Sequence, residues 1–185
     1  MLHHPQTDLW RCIFEDMTLD EGPEQRQKVV IYTDGGCRGN PGCGAWAAIL
    51  STQKHRRVLA GVAPSTTNNQ MELKPVIEGL NALKRRCDVR IVSDSKYVVS
   101  GITEWIEGWK RRGWKTAGKK PVKNRDLWIE LDEAASKHKI KWEWTRGHAG
   151  HPENEKCDEL VNELMDRLEA GEDPEGIRIN ERENM

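Results

Sequence analysis

Four acidic residues stand where a free carboxylate is expensive: Asp34, Glu72, Asp94 and Asp158. Asp34 and Asp94 each close an apolar, strand-like run, while Glu72 and Asp158 fall in the first turns of helical patterns. Burying a carboxylate costs several kcal/mol unless it is paired, hydrogen-bonded or bound to a cation. Taken alone, Asp34-Gly35 reads first as a hydrogen-bonded turn aspartate. Three further acids that can share its edge change that reading, because like charges so close raise one another's pKa unless a divalent cation compensates them. An all-oxygen set without a His or Cys pair favours Mg2+ or Mn2+ over zinc. His148, in the loop Gly147-His148-Ala149-Gly150, titrates in the range needed to move a proton nearby; its other reading is a solvated loop histidine. Phosphodiester hydrolysis is the chemistry that uses two such ions beside a polyanion.

The elements that must position these groups follow from periodicity. Val29 to Thr33 is a buried-strand run ending at Asp34, followed by a glycine-rich turn from Gly35 to Gly44. Gly44 to Ser51 and Arg56 to Val62 complete an antiparallel meander. From Gln70, apolar residues recur at threes and fours, so the spacing predicts a helix capped by Thr67 to Asn69, with Pro75 near its first turn. Asp88 to Ser93 is a second buried strand, and Ser95 to Trp109 is helical again. Strand, helix, strand implies a right-handed crossover that brings Asp34 and Asp94 to one sheet edge. A short helix over 126–137, an alternating strand over 139–145 and a helix starting at Pro152 follow, the last with Cys157, Leu160, Val161, Leu164 and Leu168 as its apolar stripe. From Gly171 the chain is polar and is expected to fray.

The net charge of −1 conceals a segregation. Residues 1–24 carry six acids and one base, residues 166–185 carry seven acids and three bases, and the segment between them is therefore +8. The excess concentrates in Lys110 to Arg125, which holds eight basic residues and no acid. There Trp109, Lys110, Arg111, Arg112, Trp114, Lys119, Lys120 and Lys123 interleave cations for phosphates with flat rings for bases or sugars. No apolar stretch reaches the roughly 20 residues of a membrane span, and no targeting segment is evident at the N-terminus. Five cysteines without paired spacing fit reduced thiols, so a cytoplasmic, monomeric protein is expected.

These segments together resemble bacterial ribonuclease H type 1. The resemblance runs from about Lys28 through Leu168 and rests on YTDGGCRGNPG, TTNNQMEL, the SDS after Ile91-Val92, GWKTAGKKPVKN and GHAGHPENEKCDEL. It implies an α/β ribonuclease H-like fold, a five-stranded mixed sheet flanked by helices, with a basic protrusion. It also implies endonucleolytic cutting of the RNA strand of RNA–DNA hybrids by a two-metal mechanism. Mg2+ would be the cofactor, Mn2+ a substitute, and the products would carry 5′-phosphate and 3′-hydroxyl ends. Asp34, Glu72, Asp94 and Asp158 match the family's metal-binding acids, and His148 its histidine for proton transfer or product release. Asn40, Asn68 and Asn69 match hybrid-contacting positions, whereas Lys96 stands where a glutamine is common. The implied layout is an N-terminal extension over 1–27, a catalytic domain over 28–168 and an acidic tail over 169–185.

Two other classes compete with this reading. A non-catalytic hybrid-binding module would gain affinity by losing buried acids next to phosphates. A related two-metal nuclease or strand-transferase would share the fold, since fold alone does not fix substrate.

Overall fold

The computed structural model describes residues 26–146 and 152–185. Its centre is a six-stranded mixed sheet in the order β5-β4-β1-β2-β3-β6, made of β1 (Lys28–Gly39), β2 (Gly42–Ser51), β3 (His55–Thr66), β4 (Asp88–Ser93), β5 (Lys139–Trp144) and β6 (Ile179–Asn184). The first three strands form the expected meander, and β4 and β5 lie parallel to β1. The helices are α1 (Asn68–Asn81), α2 (Lys96–Ser100), α3 (Ile106–Arg111), α4 (Arg125–Ser136) and α5 (Pro152–Glu169), with a π-helical turn over Gly101–Trp105.

Helices cover both faces, which is why β2 is buried at every position from Gly44 to Leu50 instead of alternating. On one face Leu73, Val76, Ile77 and Leu80 of α1 pack with Trp128 and Leu131 of α4 against Ile31, Ala48 and Leu50. On the other, Cys157, Leu160, Val161, Leu164 and Met165 of α5 pack against Ala45, Ala47, Ile49 and Ala60. Fully burying such side chains contributes about 1.5–3 kcal/mol each, so this two-sided core anchors the elements that carry the acids.

The structure corrects several expectations. The sheet has six strands, not five: the segment expected to fray pairs as β6 with β3, from Ala60↔Ile179 to His55↔Asn184, after Ile177 inserts into the α5 core at 1 % exposure. Polarity of that segment reflects a sheet edge, where charged residues are tolerated. Asp34 does not end its strand, because β1 continues to Gly39 paired with β2; what ends beside it is β4, whose last pair with β1 is Thr33↔Ser93. β3 runs through Pro64 to Thr66, α1 starts two residues earlier than expected, and Pro75 is its eighth residue. The helix over 95–109 is broken by the π-helical turn, where Gly101 makes room for the Trp128 ring: a Cβ there would lie 2.0 Å from it.

Candidate active site

β1 and β4 run parallel and side by side, so Asp34 and Asp94, each one residue past the Thr33↔Ser93 pair, emerge at the same edge. Glu72 reaches that edge from the first turns of α1, and the cause is visible in the backbone. Pro75 has no N–H to offer the Met71 carbonyl four residues back, so that carbonyl has no backbone donor at its usual place in the helix ladder. Met71 O leans onto Gly35, where a built Cβ would lie 1.9 Å from it and 3.2 Å from the Glu72 nitrogen. Glycine at 35 therefore permits α1 to approach β1 one residue after Asp34 and one before Glu72. On the opposite face Cys157 brings α5 against β1, its thiol donating to the Tyr32 carbonyl at 3.6 Å, so that half-buried Asp158 follows directly. Burial, followed by Asp34, pushes the Cys157 thiol far up, which excludes it as a nucleophile at neutral pH.

The electrostatics record the convergence. Asp34 is pushed up to about 7, first by burial and next by Asp94, with Asp158 and Glu72 adding to the rise and the Gly35 N–H bond opposing it. Glu72 is raised by burial and by Asp94, against hydrogen bonds from Ser95 and Asn68. Among the described residues, no Lys or Arg forms an ion pair with Asp34, Glu72 or Asp158. Among the described residues these three acids thus have no paired cation, and their oxygen-only donors suit a hard divalent ion. Among the described residues, no three acid, imidazole or thiol groups draw close enough to enclose an ion by themselves. Mg2+ needs no such cage, because it keeps several waters and takes oxygens from substrate phosphates.

The neighbouring positions have defined supports. Asn68 Nδ2 donates to Glu72 Oε1 at 3.1 Å, so this asparagine also orients an acid. Asn69 is half-buried beside it in the first turn of α1, whose start is tied by the Thr67 N–H to Gln70 Oε1 at 3.0 Å. Asn40 is exposed at the β1–β2 turn, before a cis Pro41. Trp144 donates its indole N–H to the Asp94 carbonyl at 2.9 Å, and Lys96 Nζ lies 4.8 Å from the centre of the same ring. His148 lies outside the described residues.

The basic protrusion divides into two parts. Trp109 and Trp114 are half-buried and pack against the core, with the Trp109 and Trp128 rings edge-on at 5.3 Å. Lys110 is engaged by Asp132 at 2.9 Å and Glu107 at 3.3 Å, which hold its ammonium above its ordinary range. Arg111, Arg112, Lys119, Lys120 and Lys123 are exposed, and none forms an ion pair among the described residues. Lys119 and Lys120 ride on a small hairpin closed by the Lys115↔Pro121 bridge, with Thr116 N–H to Lys120 O at 2.8 Å, whereas Arg111 and Arg112 stand at the end of α3 before it and Lys123 follows it. Sequence spacing did not reveal the Gly35–Met71–Pro75 contact, the Trp144 support of Asp94, or a guanidinium at Arg56 that joins α5 to β6. A proline in a helix four residues after the carbonyl facing a strand glycine is the one signal that could have pointed to the first.

In sequence and fold the chain is similar to known proteins. The RNase H family model matches residues 26–166. A Halorhodospira halophila protein named Ribonuclease H is 56% identical over 147 residues, covering 80% of this chain and 99% of its own. A Pseudomonas aeruginosa protein named Ribonuclease HI is 56% identical over 137 residues, covering 74% of this chain and 93% of its own. Among solved structures, LC9-RNase H1, described as a type 1 RNase H with the type 2 active-site motif, superposes with a TM-score of 0.72 at 32% identity, over 86% of this chain and 80% of that one. LC11-RNase H1, solved with an RNA/DNA hybrid, shares the fold with a TM-score of 0.56 at 22% identity, over 76% of this chain and 98% of that one. By matched length and by identity, this chain belongs to the RNase H family.

Proposed function

We propose that this chain is an endoribonuclease that hydrolyses the RNA strand of RNA–DNA hybrids with Mg2+, leaving 5′-phosphate and 3′-hydroxyl ends. The observation that supports it best is Asp34, raised to about 7 by burial and by three neighbouring acids, on the edge where β4 stops. Members of the family use divalent metal ions. Asp34, Glu72, Asp94 and Asp158 would hold two, and these would supply an activated water and charge compensation at the leaving oxygen.

The chain's own residues do the rest. Gly35 and Pro75 set how closely Glu72 approaches Asp34, and Asn68 fixes the Glu72 carboxylate so that little reorganisation is needed on binding. Asn40, Asn68 and Asn69 offer amides to sugar and base edges of the hybrid. The exposed Arg111, Arg112, Lys119, Lys120 and Lys123 bind phosphates of the duplex beyond the cut, whereas Trp109 and Trp114 brace the protrusion that presents them. His148 takes up or delivers the proton as the phosphorus–O3′ bond breaks. No helix among the described residues is long and apolar enough to cross a membrane, and the working form we propose is a cytoplasmic monomer.

Labelled RNA–DNA hybrid incubated with Mg2+, beside duplex RNA and duplex DNA, tests this reading. Internal cuts confined to the hybrid's RNA strand, with products that a 5′-phosphate-dependent exonuclease degrades, are expected. Equal cutting of duplex RNA, or no cutting of hybrid, would overturn it.

A further inference from the structure

β6 lies beyond residue 166, where the match to the family model stops, yet it is tied to the helix that carries Asp158. The tie is Arg56 on β3. Its Nε and Nη2 meet the Glu153 carboxylate at 3.1 and 2.9 Å, and its Nη1 meets Glu183 of β6 at 3.0 Å. Glu183 is the register partner of Arg56 in the β3–β6 ladder, and Glu153 is the second residue of α5. The Arg56 side chain is 15% exposed, so the fork is shielded in a way that ordinary surface pairs are not.

Apolar packing is non-directional, so the stripe from Cys157 to Met165 turns one face of α5 to the sheet but constrains its exact rotation and slide less than a directional contact does. A planar guanidinium that grips a carboxylate at two points does fix them. The other end of α5 is held by Arg38 to Asp166 at 2.7 Å and to Glu169, but that side chain is 36% exposed. β6 supports Arg56 from outside through its ladder, through Arg57 to Asn180 at 2.9 Å and through the Met185 N–H to the Lys54 carbonyl at 2.9 Å.

We propose that the C-terminal strand acts through Arg56 and Glu153 to fix the start of α5, and that Arg56 and Glu183 are positioning residues for the divalent-metal site to which Asp158 contributes. The proposal rests on the reading of Asp158 as a metal ligand. Charge and position make opposite demands here: loss of the Arg56 cation would by long-range charge alone tighten metal binding, so weaker binding identifies a positional effect.

The test is calorimetric titration of the full chain with Mn2+ in the absence of nucleic acid, for wild type, Arg56→Met, Arg56→Lys, Glu183→Gln and Glu181→Gln. Supporting shells around metal ligands are typically worth 10- to 100-fold in affinity, so the Mn2+ dissociation constant should rise about 10-fold in Arg56→Met. Arg56→Lys keeps the charge and should still show most of that rise. Glu183→Gln should show a smaller rise that exceeds that of Glu181→Gln, which removes the same charge from β6 without touching Arg56. The Mg2+ needed for half-maximal hybrid cleavage should increase by the same factors, with KM for hybrid at saturating Mg2+ unchanged. Unchanged or tighter Mn2+ binding in folded Arg56→Met would overturn the proposal. Should that variant not fold, Glu183→Gln binding as tightly as Glu181→Gln would do so. A wild type that binds Mn2+ but cuts no hybrid would instead refute the proposed function, which keeps the two failures apart.

Discussion

Replacing Gly35 by alanine adds one methyl group at the point where α1 and β1 come closest. The new Cβ would sit 1.9 Å from Met71 O and 2.5 Å from Met71 C, both backbone atoms that no rotamer change can move. Ordinary contact begins near 3.4 Å, so the strand and the helix must part by about 1.5 Å. The displaced turn carries Glu72, whereas Asp34 stays with the sheet. A misplacement of about 1 Å in a catalytic array costs on the order of 10²-fold, and overpacking costs about 1–3 kcal/mol of stability. Steady-state cleavage of hybrid at saturating Mg2+, beside urea unfolding of the same preparation, should therefore show kcat reduced about 100-fold in a protein that remains folded. A folded Gly35→Ala variant with kcat within about twofold of wild type would refute the argument that this approach sets the site.

Other outcomes follow from the same geometry. Asp34→Asn should abolish cleavage. In metal-free protein it should also be more stable than wild type above about pH 7, because a carboxyl raised from 3.8 to about 7 favours folding below 3.8 and loses that contribution as pH rises through 7; chemical unfolding at pH 5 and 8 measures this. His148→Ala should reduce turnover by roughly 10²-fold or less with little change in hybrid affinity, and more than His151→Ala; equal harmlessness of the two in single-turnover assays would remove the proton-transfer role. Neutralising Lys119, Lys120 and Lys123 together should raise KM and lower the log–log salt slope by about 0.7–0.9 per lost phosphate contact, with kcat preserved. His138 is buried and accepts the Cys87 N–H at 3.2 Å, and burial lowers its pKa from 6.5. The unfolded chain thus takes up the proton first, and stability monitored by thermal unfolding should decline as pH falls below about 6.5, a decline that His138→Gln should reduce.

Much of the site was legible because its signals are local. A β-branched run before Asp34 and another before Asp94 define two strands, and the helix between them makes those strands parallel. The acid positions then follow without any knowledge of distant contacts. What could not be read depends on pairings between remote segments. β6 is polar, as an edge strand must be, and nothing in its composition distinguishes it from a loose tail until Arg56 and β3 are placed beside it. Lys110 reads as one more cation of the protrusion, yet Asp132, on a helix reached only after the loop returns, pairs with it. Trp109 and Trp114 read as exposed platforms for nucleic acid, and the packing around Trp128 half-buries them. The tilt of Met71 toward Gly35 required the helix and the strand to be known together.

The proposed role of Asp34 is to hold a divalent cation together with the acids around it. Its most direct test is the titration of the Asp34 carboxyl, followed by carbon-detected NMR with and without Mg2+. A midpoint near 7 in metal-free protein, falling sharply when Mg2+ is added, is expected. A midpoint near the ordinary 3.8, or one that Mg2+ leaves unmoved, would contradict it.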